Sequence, residues 1–507
     1  MVSIKINKDN KDKFAINYLN EIPVAPDAEH YEMSRMQLGH WLMHTYVNRI
    51  SIHKQEGDEQ VDDSWNQSII QTLPFFDLEI GRRALETIVE RHDLLRTTYI
   101  TVDGHPRQVV HPLEHFKDAI KAYKDDRHSD VVMTELEKES KRVVFDPIKG
   151  PLFYAKLVQA KNEYIFIIVL DHSITDEWSN GILREEIYEV YQAYRQNKPN
   201  PLQPLRIRYK DFTIWHNRLL RERAPEHFRQ YWHRFTNELL PKTDLSTHFA
   251  TLGTPESYRA GIKKQLLKCF QPMPPAHEEL VYGNLAKLEF KESGAFQFGI
   301  GKQVYRGLKK RAIENDTSLF NVINFVIQCW IYRVTGSKDS VLGVNMVMRQ
   351  NDDLTPMMGF MLNTVLVRNQ VITEDTVNQN IQRITGENLD ATELVYYSFE
   401  RVLNDLDLPF ENVCKIFVNM INKENSSKLM IKNFKPHHLD KKVWYSYFDL
   451  DFHVAEEKNG ILIVWEYGKH IFTPEQVDQL YTAFMEVAEI LAFQPTIPLE
   501  EAMTVRV

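Results

Sequence analysis

The stretch from Tyr164 to Leu183 reads YIFIIVLDHSITDEWSNGIL, and it limits the possible folds more than any other part of the chain. Tyr164 to Leu170 is an unbroken apolar run of strand length, and a strand of that kind needs cover on both faces. Asn180 to Arg195 then carries helical spacing, so a buried strand passes into a helix across a short turn. That turn holds His172 and Asp176. A histidine released at the carboxyl end of an apolar strand, with a carboxylate four residues on, is one way to place an imidazole base in a cleft and fix the backbone around it.

The elements around this unit mix the two periodicities. Amphipathic helices are expected at Tyr31 to Ile50 and Asp77 to His92, and the run Leu95 to Val102, Asp103-Gly104, Arg107 to Val110 predicts a hairpin. Phe153 to Val158 pairs with Tyr164 to Leu170 around Lys161-Asn162. The Pro-rich stretch Asn197 to Pro204 is the expected boundary between a lobe of residues 1–204 and a lobe of residues 205–507. Beyond it come helices near Tyr209 to Arg221 and Glu226 to Leu239, then an irregular segment from Pro241 to Pro275. The second half is expected to add strands at Ala286 to Phe290, Val341 to Met346, Val365 to Asn369, Lys415 to Met420, Tyr445 to His453 and Ile461 to Tyr467. Its helices are expected at Lys302 to Ile313, Ser318 to Thr335 and Pro474 to Phe493. Such alternation over 507 residues, too many for one ordinary core, points to a two-lobed α/β protein.

Composition removes several function classes. The formal charge of -9 is spread along the chain, which leaves no electrostatic case for nucleic acid or an anionic membrane surface. No stretch reaches the roughly 18 apolar residues of a membrane span, and the N-terminus lacks the apolar core of a signal peptide, so a cytoplasmic protein is expected. Cys269, Cys329 and Cys414 lie far apart, which suggests neither a zinc site nor a disulfide framework. His437-His438 near Asp440 is not a metal pair on this reading, because adjacent residues face apart, and a solvated loop is expected there.

With 19 histidines, one H-x-x-x-D arises roughly once by chance, so the other motifs carry the weight. Asp171-His172-Ser173-Ile174-Thr175-Asp176-Glu177-Trp178-Ser179 resembles the H-H-x-x-x-D-G-W-S motif of the condensation-domain superfamily of nonribosomal peptide synthetases. Ser34-x-x-Gln37-x-x-x-Trp41 is similar to that family's opening helix, and Arg91-His92-Asp93-Leu94-Leu95-Arg96-Thr97-Thr98-Tyr99 to its R-H-E-x-L-R-T-x-F. Phe145-Asp146-Pro147 with Gly150-Pro151-Leu152 is similar to the segment that precedes the family's histidine motif. Tyr209-x-Asp211-Phe212-x-x-Trp215, Gly359-Phe360-x-x-Asn363-Thr364-x-x-x-Arg368 and Asp407-x-Pro409-Phe410-Glu411 follow in the family's order. Three departures stand out. Asp171 replaces the first histidine, Glu177 replaces the glycine, and the R-D-x-S-R-N-P motif is not recognisable around Asn412 to Lys415.

The resemblance implies an α/β fold of two chloramphenicol-acetyltransferase-like lobes, each a mixed sheet with flanking helices, set as a V-shaped pseudo-dimer. It implies amide formation between an acyl or peptidyl thioester on a carrier protein's phosphopantetheine arm and an amine, free or carrier-bound. No permanently bound cofactor is implied. Thioesters are already activated, so holding the reactants in line can supply on the order of 7 to 11 kcal/mol. His172 is the implied catalytic residue; the imidazole can orient the amine, accept its proton or hydrogen-bond the tetrahedral intermediate. Asp176 is implied to be structural, paired with Arg96. Glu177 either narrows the acceptor side or recognises a cationic amine, or else points into solvent; Ser179 and Asn363 are further expected substrate-positioning residues, with a turn-forming role also open to Asn363. Trp178 and Trp215 are expected in the core.

The absence of a G-G-x-S carrier motif and of an adenylation domain implies a free-standing enzyme. Asp171-x-x-x-x-Asp176-x-x-Ser179 also fits the D-x-x-x-x-D-x-x-S pattern of heterocyclisation domains, which as a rule lack the histidine kept here. Ester formation with a hydroxyl acceptor is chemically open to the same base, and a non-catalytic recruitment domain of the same fold is compatible with the loss of the first histidine. The D-F-G-W-G motif of plant-type coenzyme A acyltransferases is absent.

Overall fold

A computed structural model describes residues 21–42, 66–222, 245, 291–392, 394–397, 414–421, 435–446 and 448–504. The helix expected at Glu226 to Leu239, the segment Pro241 to Pro275, the strand Ala286 to Phe290 and the motif Asp407 to Glu411 lie outside these residues, as does the first helix beyond Leu42.

The first half begins with the short strand β1 (Tyr31–Glu32) and helix α1 (Arg35–Leu42), so the helix expected from Tyr31 starts later. The reason is local. Ser34 Oγ accepts from the Gln37 amide at 3.1 Å, and Gln37 Oε1 accepts from the Ser34 amide at 3.1 Å, a capping box that sets the start of the helix. Strand β2 (Asn66–Leu73), which periodicity alone does not reveal, leads to helix α2 (Leu78–Arg91), whose N-cap Asp77 accepts from Glu79 and Ile80. The hairpin β3 (Thr97–Val102) and β4 (His105–Val110) turns through Asp103 and Gly104 at φ of 50° and 77°, the left-handed pair that a two-residue turn requires. With β1 it forms a three-stranded antiparallel sheet in the order β1-β4-β3.

Strand β5 (Ile120–Lys124), helix α3 (Ser129–Ser140), β6 (Phe153–Gln159), β7 (Tyr164–Asp171) and helix α4 (Glu177–Arg195) complete this half. Its four-stranded sheet runs β2-β7-β6-β5, with β5 and β6 parallel and the other pairs antiparallel. Ile167, Val169 and Leu170 of β7 are fully buried, as its continuous apolar run demands. Helix α5 (Tyr209–Glu222) then reaches both halves of the chain. Asn217 donates to Met33 O, His216 Nε2 lies 2.6 Å from Tyr396 O, and the Tyr209 hydroxyl donates to Phe360 O.

Among the described residues, the second half forms one seven-stranded mixed sheet. Its strands are β8 (Lys291–Ile300), β9 (Asp339–Val347), β10 (Leu362–Gln370), β11 (Ile416–Ile421), β12 (His437–Ser446), β13 (Leu450–Glu457) and β14 (Gly460–Gly468), in the order β10-β9-β11-β13-β14-β8-β12. The single strand expected at Tyr445 to His453 is thus the end of β12 and the start of β13. His437 and His438 lie on β12, opposite Gln297 and Phe296, and not in a loop. Pairing with β8 overrides the polar character of that segment.

The helices of this half are α6 (Lys302–Glu314), α7 (Leu319–Thr335), α8 (Val377–Thr392), α9 (Pro474–Phe493) and α10 (Leu499–Thr504). Helix α7 is buried along nearly its whole length and ends at Gly336 with a φ of 74°. A capping box of Thr473 and Gln476 with Pro474 at the first turn starts α9. Trp330 of α7 and Phe484 of α9 pack on Phe452 and Trp465 of the sheet, with Trp330 Nε1 donating to Leu480 O at 3.0 Å. Truncating such a fully buried tryptophan costs about 3 to 5 kcal/mol.

Candidate active site

The chain leaves β7 at Asp171, makes one tight turn over His172 to Ile174, and enters α4 through Asp176. Each turn residue has a reason for its place. Asp171 Oδ1 accepts from the Ser173 amide at 2.8 Å, so the residue standing where the family has a histidine caps the turn. Asp171 Oδ1 also lies 3.7 Å from Nδ1 of His40 on α1, with both side chains buried. The buried Tyr99 hydroxyl donates to Ser173 Oγ at 3.0 Å and receives the Gln37 amide at 3.3 Å, which joins the β3 motif and the opening helix to the turn.

His172 is half-buried and held from three sides. Its Nδ1 lies 2.8 Å from Thr175 O, its Nε2 lies 3.3 Å from Gln67 Nε2, and its ring centroid is 4.6 Å from that of Phe360. A carbonyl only accepts, so Nδ1 carries a ring hydrogen, and in the neutral ring the lone pair is on Nε2. That is the state needed in a group that takes a proton from an amine.

Asp176 is fully buried and turned away from His172, as expected, but its partner differs from the one expected. Its carboxylate meets Arg349 Nη2 at 3.1 and 3.2 Å, accepts from the Ser179 amide and hydroxyl, and accepts from the Met361 amide at 3.1 Å. Arg96 pairs instead with Asp93 at 2.6 Å and donates to the carbonyls of Val89, Glu90 and His111. The carbonyls at the end of α2 and the nearby Asp93 capture Arg96 locally. Arg349, just after β9, is left to neutralise Asp176 across 173 residues of sequence.

Ser179 and Asn363 are both engaged within the protein. Ser179 is fully buried, and its hydroxyl bridges Asp176 to the Gly359 amide at 3.0 Å, so it braces the motif. The Asn363 side chain donates to Val395 O and Tyr397 O at 2.9 and 2.6 Å, which ties β10 to the segment after α8. Trp178 is partly buried, donates to Thr355 O at 2.9 Å and carries the Arg349 guanidinium 5.7 Å from its ring; Trp215 packs edge-on to Tyr396.

Glu177 does not point into solvent. Its Oε1 is shielded without a hydrogen-bond partner at the start of α4, and burial pushes the carboxyl up to about 7 despite the opposing influence of Arg184 and a hydrogen bond with Asn180. Gly359-Phe360 explains itself by space. A Cβ on Gly359 would sit 2.2 Å from the Tyr209 ring, and Phe360 follows directly onto His172. Arg349 and Gln67 are invisible to motif reading, since neither belongs to any of the matched motifs. An arginine immediately after an apolar strand is the available signal for Arg349.

A family model described as Condensation domain matches residues 27–506. The chain belongs to the condensation-domain family. Gramicidin S synthase 2 of Brevibacillus brevis is 25% identical over 507 residues, covering 99% of this condensation domain and 10% of that protein. Surfactin synthase subunit 2 of Bacillus subtilis (strain 168) is 25% identical over 85% of this chain and 11% of that protein. The chain therefore spans about a tenth of the length of these curated relatives. Among solved structures, the condensation domain from Monacolin K polyketide synthase MokA superposes with a TM-score of 0.67 at 14% identity, over 93% of this chain and 99% of that one. The X-domain in the complex of the X-domain and OxyB from teicoplanin biosynthesis gives 0.64 at 15% identity, over 96% and 99%. The condensation domain thus has the mixed α/β, chloramphenicol-acetyltransferase-like fold that its motifs implied. Among the described residues, no helix is long and apolar enough to cross a membrane.

Proposed function

We propose that this condensation domain is an acyltransferase that forms an amide between an acyl or peptidyl thioester on a carrier protein and an amine acceptor. The observation that carries the reading is the state of His172. Its Nδ1 hydrogen is committed to Thr175 O, and its Nε2 presents a lone pair from a rigidly braced turn. In the reaction the amine nitrogen attacks the thioester carbonyl, the C–S bond breaks, the thiol of the phosphopantetheine arm leaves, and the proton lost by the amine passes through Nε2. Asp176 and Arg349 hold the turn, and neither is free to join the chemistry. The 1–204 and 205–507 lobes are proposed to contribute the two walls of the cleft, and a cytoplasmic setting suits carrier-bound substrates.

Glu177 is proposed to read the acceptor, since a carboxylate replaces a glycine beside the histidine turn. The heterocyclisation reading is less well supported, because Asp171 and Ser179 are both spent on backbone and motif contacts. The test is mass spectrometry of products when acyl-loaded carrier protein meets a panel of amines. The wild type is expected to give amide, and His172→Ala to be slower by about a hundredfold or more. An ester or heterocycle would change the assigned product, and equal rates in wild type and variant would remove His172 as the base.

A further inference from the structure

His172 has a partner outside its motif. Gln67 lies on β2, where Asn66 stands opposite Asp171 and Gln67 opposite Leu170, so that strand delivers Gln67 to the histidine turn. The Gln67 amide is itself oriented. Its Oε1 accepts from Asn180 Nδ2, and Asn180 Oδ1 accepts from the Thr175 hydroxyl at 3.0 Å. Gln67 therefore turns its NH₂ toward the Nε2 lone pair of His172. Thr175 and Asn180 are buried, and the series runs from Thr175 through Asn180 and Gln67 to His172, whose other nitrogen returns to Thr175.

Every link of this series outside the imidazole can reverse, the Asn180 contact with the Glu177 carboxyl being the one that has to yield. A carboxamide turned over exchanges donor for acceptor, and the Thr175 hydroxyl has a second acceptor in Asp176 O at 3.3 Å. We infer that Gln67 is a positioning residue whose amide follows the protonation state of His172. It donates to the resting neutral ring and swings off the single Nε2 lone pair when the amine enters. Once Nε2 has taken the proton of the amine, Gln67 and Asn180 turn over together, Gln67 Oε1 accepts from Nε2–H, and Thr175 accepts from Asn180 while donating to Asp176 O. The only proton that changes atoms is the one from the amine, and it leaves again when the thiolate is protonated. A glutamine thus serves both states of the base, whereas a glutamate can only accept and a leucine can do neither.

This inference rests on His172 being the base, and the test separates the two. The charged or titratable groups around the ring are His40 on α1, Asp171 on β7, and on α4 Asp176 with Arg349 and Glu177 with Arg184, all unchanged in the variants. The experiment is an NMR titration of His172 in the full chain, assigned by His172→Ala, run beside the pH profile of kcat/KM. Gln67→Glu is expected to move the His172 titration, and with it the acidic limb of the profile, toward higher pH. Gln67→Leu is expected to lower kcat by about tenfold or more with little change in KM for the loaded carrier. An unmoved His172 titration in folded Gln67→Glu overturns the inference, as does a kcat in folded Gln67→Leu equal to the wild type. Full activity in His172→Ala would instead remove the base assignment, while the titration still reports on Gln67.

Discussion

Asp176 and Arg349 show how much one residue's partner matters. Both side chains are essentially without exposure, so removing either leaves the other as a buried, uncompensated charge. Asp176→Asn and Arg349→Ala are each expected to lose about 3 to 5 kcal/mol in urea unfolding. Arg96→Ala removes a partly buried pair but leaves Asp93 with Arg208, and is expected to cost only about 1 to 2 kcal/mol. Equal losses in Arg96→Ala and Arg349→Ala would contradict the pairing. Glu177 carries a separate prediction. With its carboxyl near 7, it gains charge as pH rises through neutrality, so any preference for cationic amines is expected to strengthen from about pH 6 to pH 8. Glu177→Gly is expected to abolish that trend in a competition among cationic and neutral amines; an unchanged acceptor profile would remove Glu177 from acceptor choice.

Among the elements, the segment joining β9 to β10 does the most for the site. It supplies Arg349 to Asp176, the Gly359 backbone to Ser179, and Phe360 to the His172 ring, and the Tyr209 hydroxyl of α5 binds Phe360 O at 2.9 Å. Gly359→Ala forces a methyl into the Tyr209 ring and is expected to cost about 1 to 3 kcal/mol by calorimetry, with a larger proportional loss of activity than of stability. Retention of full stability and rate would mean that the segment yields without disturbing Phe360. The strand-turn-helix of β7 and α4 was readable because an apolar run and helical spacing are local signals. Strand β2 was not, since NQSIIQTL has weak alternation and is held by pairing with β7.

For the whole molecule, the pH dependence of stability has an identifiable contributor far from His172. Asp451 on β13 is buried beside His453 and Glu466, and burial pushes its carboxyl up to about 7, with Glu466 adding to the rise and His453 opposing it. The folded chain therefore holds this proton more tightly than the unfolded chain does. That contribution is complete below about pH 4 and is lost as pH rises through 7, with a size on the order of 4 kcal/mol. Asp451→Asn is expected to flatten the urea midpoint between pH 4 and 7 relative to wild type, and parallel curves for the two proteins would refute the assignment.

Local chemistry in the sequence was enough to determine much of this protein. The β7 strand, the α4 helix, the Asp103-Gly104 hairpin and the order of family motifs all follow from contacts within a few residues, or from patterns that each strand or helix must satisfy by itself. Tertiary structure decided what lies between distant segments: Arg349 rather than Arg96 on Asp176, Ser179 and Asn363 as braces, and Gln67 beside His172 Nε2. The physical reason is that a buried charge or lone pair takes whichever donor the packed chain brings within about 3 Å, and spacing along a sequence does not record that distance.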